Sequence, residues 1–199
     1  EPCQGVGGLD IPDDDFVLGM NTLCEKYDTC LIADEVQSGF SRSGNFFAFQ
    51  QNNIKPHVIT MAKGMGNGFP IGGILVHPDL KPKYGMLGTT FGGNHLACSA
   101  SLAVLEIIKK DKLQHHAKSM ETYFRAKAEK IKGIKIKGRG LMLGLAFDFE
   151  VGPLRKSLIY EKNIFTGGSS NKNVLRILPP LTVQKKHFDR FFEALEDLL

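Results

Sequence analysis

Two short runs of the chain carry side chains that could act together in covalent chemistry. Asp34 opens the run Asp-Glu-Val-Gln at 34–37, and Lys63 lies 29 residues later within Ala-Lys-Gly at 62–64. Each run follows a continuous apolar stretch that predicts a buried strand. Ligands of α/β sheets bind beyond the carboxyl ends of the strands. The spacing therefore predicts that a carboxylate and an amine meet in one crevice.

The chemistry open to this pair is imine formation with a carbonyl cofactor. A lysine amine has a reference pKa of about 10.4, and a carbonyl cofactor holds its nitrogen as an imine instead of a protonated amine. An aspartate beside a pyridine nitrogen keeps that nitrogen protonated, so that the ring withdraws electrons from a carbanion next to the imine. From spacing alone the alternative stays open that Lys63 is a solvated lysine and Asp34 a turn or cap residue.

The first half of the chain must supply the sheet that positions these groups. Apolar runs predict strands at 30–33, 58–62 and 72–76, the first of them central and covered on both faces. Acidic residues at 13–15 predict the start of a helix, and a second, buried helix is predicted over 94–110. The apolar positions of the first helix are Phe16, Met20, Leu23 and Tyr27.

The second half has its own alternation of elements. Helices are predicted over 113–131, 154–161 and 182–199, and strands over 141–149 and 174–178. The last helix carries Phe188, Phe191, Phe192, Leu195 and Leu199 on one side. We therefore predict an α/β protein with a domain boundary near residue 112.

Composition and charge exclude several classes of function. The formal net charge is +4, and the basic residues are spread along the chain, so no nucleic-acid partner is expected. No apolar run approaches the length of about 20 residues that a membrane helix needs, and we expect a cytoplasmic protein. The four cysteines form no C-x-x-C pair, and the adjacent histidines at 115 and 116 would lie on different sides of a helix, so no metal site is expected.

Four segments carry a family resemblance in their order and spacing. The segments 1–8, 31–44, 60–73 and 88–98 resemble the class III pyridoxal-phosphate-dependent aminotransferases, most closely the acetylornithine branch. The resemblance implies fold type I, with 1–112 as the C-terminal part of the large cofactor-binding domain and 113–199 as the small C-terminal domain. It implies pyridoxal 5'-phosphate as the cofactor.

The resemblance also implies roles for individual residues. Lys63 would form the imine with the cofactor and move the proton between substrate and cofactor carbons, and Asp34 would pair with the pyridinium nitrogen. Val36 would pack on the ring, and Gln37 would reach the ring hydroxyl. Thr90 would donate its hydroxyl to the cofactor phosphate of the neighbouring subunit, which implies a homodimer with shared active sites.

The segment 175–180 (Leu-Arg-Ile-Leu-Pro-Pro) matches the family's carboxylate-recognition segment, so Arg176 is expected to bind a substrate carboxylate with a planar two-donor fork. Two positions depart from the broader pattern. Val6 stands where many related enzymes carry a glutamate that pairs with this arginine, and His57 stands where an aspartate is usual. We expect Arg176 to be more freely available here, and His57 to be a loop residue without a functional duty.

The implied reaction moves the terminal amino group of N-acetylornithine or N-succinylornithine to 2-oxoglutarate in arginine biosynthesis. The alternatives are another class III ω-aminotransferase, for ornithine or 4-aminobutyrate, an aminomutase, or a catalytically silent fragment of the family. Relatives are roughly twice as long, and their first half carries a phosphate-binding turn, a ring-stacking aromatic residue and a further substrate arginine. We therefore expect the 199 residues alone to turn over little substrate.

Overall fold

The computed structural model describes residues 1–86 and 88–199, which form two three-stranded sheets with helices packed around them. The helices of this part of the chain are α1 (Asp14–Lys26), α2 (His95–Lys110), α3 (Leu113–Ala128), α4 (Gly152–Tyr160) and α5 (Lys185–Glu196). The strands are β1 (Ile32–Asp34), β2 (Val58–Met61), β3 (Gly73–Val76), β4 (Lys135–Arg139), β5 (Met142–Ala146) and β6 (Val174–Ile177).

The first sheet has the order β1-β2-β3. The strands β1 and β2 are parallel neighbours, with Asp34 opposite Thr60 in the register, whereas β2 and β3 are antiparallel. The carboxyl ends of β1 and β2 therefore meet at one edge of the sheet, as the sequence predicts. Lys63 lies two residues beyond β2, in a single turn of 3-10 helix over Lys63–Met65.

The prediction that the first strand is central and covered on both faces is wrong within the described residues. The strand β1 is an outer strand of its sheet, and the side chain of Ile32 is 57% exposed. Buried parallel strands need a helical layer on each face, and the described helices do not supply both layers.

The apolar faces predicted for the first two helices are also largely exposed. The helix α1 begins with Asp14 and Asp15, whose charges suit the helix N-terminus. Its one buried side chain among the described residues is Val17, and the apolar positions expected to pack are exposed, namely Phe16, Met20, Leu23 and Tyr27. The helix α2 starts at its cap Asn94, whose side chain accepts from the Ala97 amide at 3.0 Å. The buried residues of α2 are Ala97, Ser101 and Ile108, so the prediction of a buried helix is wrong within the described residues.

The second sheet, β4-β5-β6, is antiparallel throughout and forms the main core with α3, α4 and α5. The strand β4 was not predicted, because Lys-Ile-Lys-Gly-Arg lacks an apolar run. The last helix buries four of its predicted residues, whereas Leu199 lies beyond its end and is exposed. Phe124 of α3 packs against Phe188 and Phe192 with ring centroids 5.2 and 5.1 Å apart.

Two smaller apolar clusters join the first half of the chain to the second sheet. Cys3 and Leu9 of the N-terminal loop pack with Met142 of β5. Phe40 packs with Ile108 and Leu113, and the half-buried Leu181 contacts the same cluster. The N-terminal loop and the loop after β1 therefore both lie against the half of the chain that contains Arg176.

Candidate active site

Asp34 is the last residue of β1, and its carboxylate is fixed by two hydrogen bonds. Its Oδ1 accepts from the Val36 amide at 3.0 Å and from the Thr60 hydroxyl at 3.1 Å. Thr60 is the residue opposite Asp34 in the parallel register, so the sheet itself orients the carboxylate. Both bonds use Oδ1, and no described residue hydrogen-bonds to Oδ2. That oxygen can accept a further hydrogen bond.

Lys63 lies at the same edge of the sheet, two residues beyond β2. Its backbone has a φ of 43°, in the left-handed region that non-glycine residues seldom adopt. The side chain lines a cavity of about 380 Å³ together with Gln37, Arg42 and the segment 178–182 that follows β6. The other lining residues are Gly39, Phe40, Gly64, Asn67, Val104, Ile107, Ile108, Leu113 and Met142.

The charged side chains that line this cavity are all positive. Among the described residues, its lining contains the cations Arg42 and Lys63 and no acidic side chain. Charges in a partly enclosed site are screened less than charges on the surface. The cavity therefore favours an anionic ligand, such as a phosphate ester or a carboxylate.

Gln37 lies between the cavity and the N-terminal loop. Its Nε2 donates to the Glu1 carboxylate at 3.3 Å, and its side chain lies so close to Gly5 that a Cβ there would be 2.6 Å from the Gln37 amide nitrogen. Val36 is half-buried, and its amide holds Asp34. Of the residues predicted to bind the cofactor, the structure thus brings Lys63 and Gln37 to one cavity and puts Asp34 at the adjoining strand end.

Arg176 lies in β6, outside the lining of that cavity. Its Nη1 donates to the Gly5 carbonyl at 3.1 Å, and its backbone forms an antiparallel bridge with Gly167. The Nε atom is buried, and no described residue hydrogen-bonds to it. Because Gly5 also touches Gln37, one loop residue contacts both the predicted cofactor residue and the predicted substrate arginine.

The remaining predicted positions are more loosely connected to this arrangement. Thr90 is exposed and is not among the residues that line the cavity with Lys63. Val6 is exposed. His57 accepts a hydrogen bond from the Leu31 amide through Nδ1 at 3.1 Å and so joins the segments that lead into β1 and β2.

Sequence reasoning missed two charged residues in the loop that follows β1, the buried Glu35 and the half-buried Arg42. The carboxylate of Glu35 is fully buried and accepts from the Ser38 hydroxyl at 2.6 Å and from the Phe49 amide at 2.9 Å. Burial raises the pKa of this carboxyl above its usual value. Arg42 donates to backbone carbonyls of the second half of the chain. The signal that could have found them is a pair of charged residues inside a loop rich in glycine, serine and phenylalanine.

A lysine and a hydrogen-bonded aspartate at the carboxyl ends of parallel neighbours define an α/β protein whose ligand site lies at that edge of the sheet. The sequence model of the class-III aminotransferases matches residues 1–199, and the chain belongs to this family, which has fold type I and depends on pyridoxal 5'-phosphate. The fold class and the cofactor predicted from the sequence are thereby confirmed.

Two similar relatives carry the name acetylornithine aminotransferase. The protein of Aquifex aeolicus is 42% identical over 202 residues, covering 100% of this chain and 52% of its own length. That of Methanocaldococcus jannaschii is 39% identical, covering 100% and 51%. Among solved structures, the ornithine aminotransferase of Plasmodium yoelii superposes with a TM-score of 0.89 at 28% identity, covering 99% of this chain and 55% of that one. The chain thus spans about half the length of these relatives. No helix among the described residues has the length and apolar character needed to cross a membrane.

Proposed function

We propose that the full-length protein is an aminotransferase that takes the terminal amino group from N-acetylornithine or N-succinylornithine and passes it to 2-oxoglutarate, in arginine biosynthesis. The observation that carries the proposal is the parallel pairing of β1 with β2, which brings the carboxyl ends of the two strands, and with them Asp34 and the segment that contains Lys63, to one edge of the sheet. The names of the relatives from Aquifex aeolicus and Methanocaldococcus jannaschii support the choice of substrate.

The residues at this edge suit pyridoxal 5'-phosphate. When bound, that group supplies an electron-withdrawing ring that stabilises negative charge on the substrate carbon that loses a proton. The free Oδ2 of Asp34 is a suitable acceptor for a protonated ring nitrogen, and its partner oxygen is already held by Thr60. Val36 would pack on the ring, and Gln37 would donate to its hydroxyl oxygen.

Lys63 has two tasks in this proposal. Its Nζ would hold the cofactor through the aldehyde carbon, and the same amine would act as the base that takes a proton from the substrate carbon and as the acid that returns it. Both tasks require an amine that reaches an anionic cavity ligand. None of the described residues that line this cavity is a carboxylate that could compete for that amine.

Arg176 is the proposed binding site for a substrate carboxylate. Its Nη1 is held by a neutral carbonyl, Gly5, and its buried Nε has no partner among the described residues, so donors remain for a carboxylate. With Val6 in place of an acidic residue, no side chain at that position competes for the guanidinium. This favours an N-acylornithine over ornithine or 4-aminobutyrate as the amino donor. An enzyme for either of those two donors must keep its arginine from binding one of its substrates.

The proposal extends to the assembly and location of the protein. We propose a homodimer in which Thr90 of each chain donates its hydroxyl to the cofactor phosphate of the partner, and a cytoplasmic location. The exposure of Thr90 in the described chain is compatible with a contact to a second subunit.

The first test is chemical labelling of the full-length protein with pyridoxal 5'-phosphate and borohydride, followed by peptide mapping. The cofactor label should reside on Lys63, and the protein should convert N-acetylornithine or N-succinylornithine faster than ornithine or 4-aminobutyrate. Labelling spread over several surface lysines would contradict the role of Lys63. Labelling of Lys63 with a preference for ornithine or 4-aminobutyrate would refute the substrate and leave the cofactor site intact.

A further inference from the structure

Arg42 is a half-buried cation whose hydrogen bonds have no role in the proposed function, although its charge contributes to the cavity. Burial lowers the pKa of its guanidinium, and none of the described carboxylates lies within the distance of an ion pair. A charge removed from water without a counter-ion is costly unless it makes strong hydrogen bonds. Its position therefore calls for a structural or functional reason.

The hydrogen bonds of Arg42 join two parts of the site. The guanidinium Nη1 donates to the carbonyl of Leu141, at 3.3 Å, and to the carbonyl of Pro179. In return, the Leu141 amide donates to the carbonyl of Arg42 at 2.8 Å. A planar guanidinium with several N–H groups can serve two carbonyls at once, which a lysine ammonium does with less geometric control.

The backbone around this junction is closely packed. Gly140 has a φ of 61°, and a Cβ at this position would lie 2.6 Å from the amide nitrogen of Gly44. Side chains larger than that of glycine are excluded there. The loop 40–44 therefore contacts the turn before β5 directly. Arg42 lines the cavity, and its hydrogen bonds stabilise this contact on the side that faces the cavity.

Pro179 lies two residues beyond β6, the strand that contains Arg176. The loop that contains Arg42 begins at Glu35 and also contains Gln37, and both Arg42 and Gln37 line the cavity with Lys63. Arg42 thus connects the loop at the cofactor lysine to the end of the strand that contains the substrate arginine.

We propose that Arg42 is a positioning residue that sets the distance between Lys63 and the carboxylate-binding Arg176. The inference rests on the proposed roles of these two residues in an aminotransferase. Removing the guanidinium releases Pro179 and lets the end of β6 move, so that Arg176 no longer meets the carboxylate of a substrate whose amino group is at Lys63. Asp34 and Thr60 lie in the sheet itself, so the cofactor site should keep its affinity.

The test compares Arg42→Met and Arg42→Lys with wild type in the full-length, cofactor-loaded protein. Arg190→Met is the matched control, because Arg190 is exposed and also donates to a backbone carbonyl, that of Lys162 at 3.3 Å. For Arg42→Met we expect KM for 2-oxoglutarate and the dissociation constant of glutarate, measured by calorimetry, each to rise about tenfold. The dissociation constant of pyridoxal 5'-phosphate should rise less than that of glutarate, because the cofactor loses only the charge of Arg42 in the cavity and keeps the sheet residues Asp34 and Thr60.

Arg42→Lys should recover part of the loss, and Arg190→Met should match wild type. Equal losses of cofactor and glutarate affinity, or unchanged glutarate affinity in both Arg42 variants, would overturn the proposal. If Arg42→Met does not fold, the glutarate measurement on Arg42→Lys decides. Glutarate binding does not depend on which amine is the donor, so this result stands even if wild type fails to use N-acylornithines.

Discussion

Gly5→Ala is the substitution that most directly tests the contact between the N-terminal loop and the cofactor edge of the sheet. The added Cβ would lie 2.6 Å from the side-chain amide carbon and nitrogen of Gln37, whereas ordinary contact begins at 3.4 Å. Gly5 is buried, and its φ lies outside the left-handed region, so alanine suits the backbone. The strain therefore falls on the amide of Gln37.

The size of the effect follows from that overlap. The Gln37 amide must move by roughly 0.8 Å, which would stretch the proposed hydrogen bond from Gln37 to the ring hydroxyl of the cofactor beyond the usual length of about 2.9 Å. A net hydrogen bond contributes about 1 kcal/mol, so we expect the affinity for pyridoxal 5'-phosphate to fall about fivefold. The carbonyl of Gly5 is unchanged by the substitution, so its hydrogen bond from Arg176 should persist.

The assay is titration of the cofactor-free, full-length protein with pyridoxal 5'-phosphate. Gly7→Ala is the matched control, because a Cβ there would meet only the exposed side chain of Gln4, at 3.0 Å from its Oε1. In a Gln37→Ala background, Gly5→Ala should have no added effect, since there is no amide left to displace. Equal effects of Gly5→Ala with and without Gln37 would refute the reasoning, as would unchanged affinity in the single variant.

Three further substitutions test separate parts of the site. Lys63→Ala should lower the turnover of the full-length protein by about 100-fold or more, because the amine and the proton carrier are lost together, and near-normal turnover would exclude Lys63. Arg176→Lys should raise KM for 2-oxoglutarate about tenfold through loss of the two-donor geometry, and an unchanged KM would remove Arg176 from the site. Glu35 has a folded-state pKa above its usual value, so its contribution to stability is present at low pH and lost as the pH rises through that pKa. The unfolding free energy of Glu35→Gln relative to wild type should therefore increase from about pH 4 to about pH 7, and a constant difference in chemical denaturation would contradict it.

The elements of the second half could be predicted well because their core is complete within the described chain. The last helix has apolar residues at helical spacing, and Phe188, Phe191, Phe192 and Leu195 are buried as that spacing requires. The strand β4 escaped prediction because its sequence, Lys-Ile-Lys-Gly-Arg, contains no apolar run, and the strand is stabilised by backbone pairing with β5. Cross-strand pairing of this kind depends on the neighbour and is not encoded in the strand alone.

The burial of the first half could not be predicted in the same way. Apolar periodicity in α1 and apolar character in β1 indicate which faces can be covered, but not whether a covering layer lies within the residues at hand. Phe16 and Ile32 are accordingly exposed in the described chain. The spacing of Asp34 and Lys63, in contrast, was sufficient to predict neighbouring strands, because both residues directly follow short apolar runs.

The sequence by itself determined the family, the elements around Asp34 and Lys63, and the segment that contains Arg176, because these depend on local runs and on residue types in order. Tertiary structure alone decided that Gly5 touches both Gln37 and Arg176, and that Arg42 reaches the carbonyl of Pro179. The contacts of Arg176 with Gly5 and of Arg42 with Pro179 join residues more than a hundred positions apart, through backbone carbonyls that every residue type possesses. The type of a residue does not indicate whether its carbonyl accepts a hydrogen bond from a distant arginine, so only the folded arrangement of the two sheets could reveal these contacts.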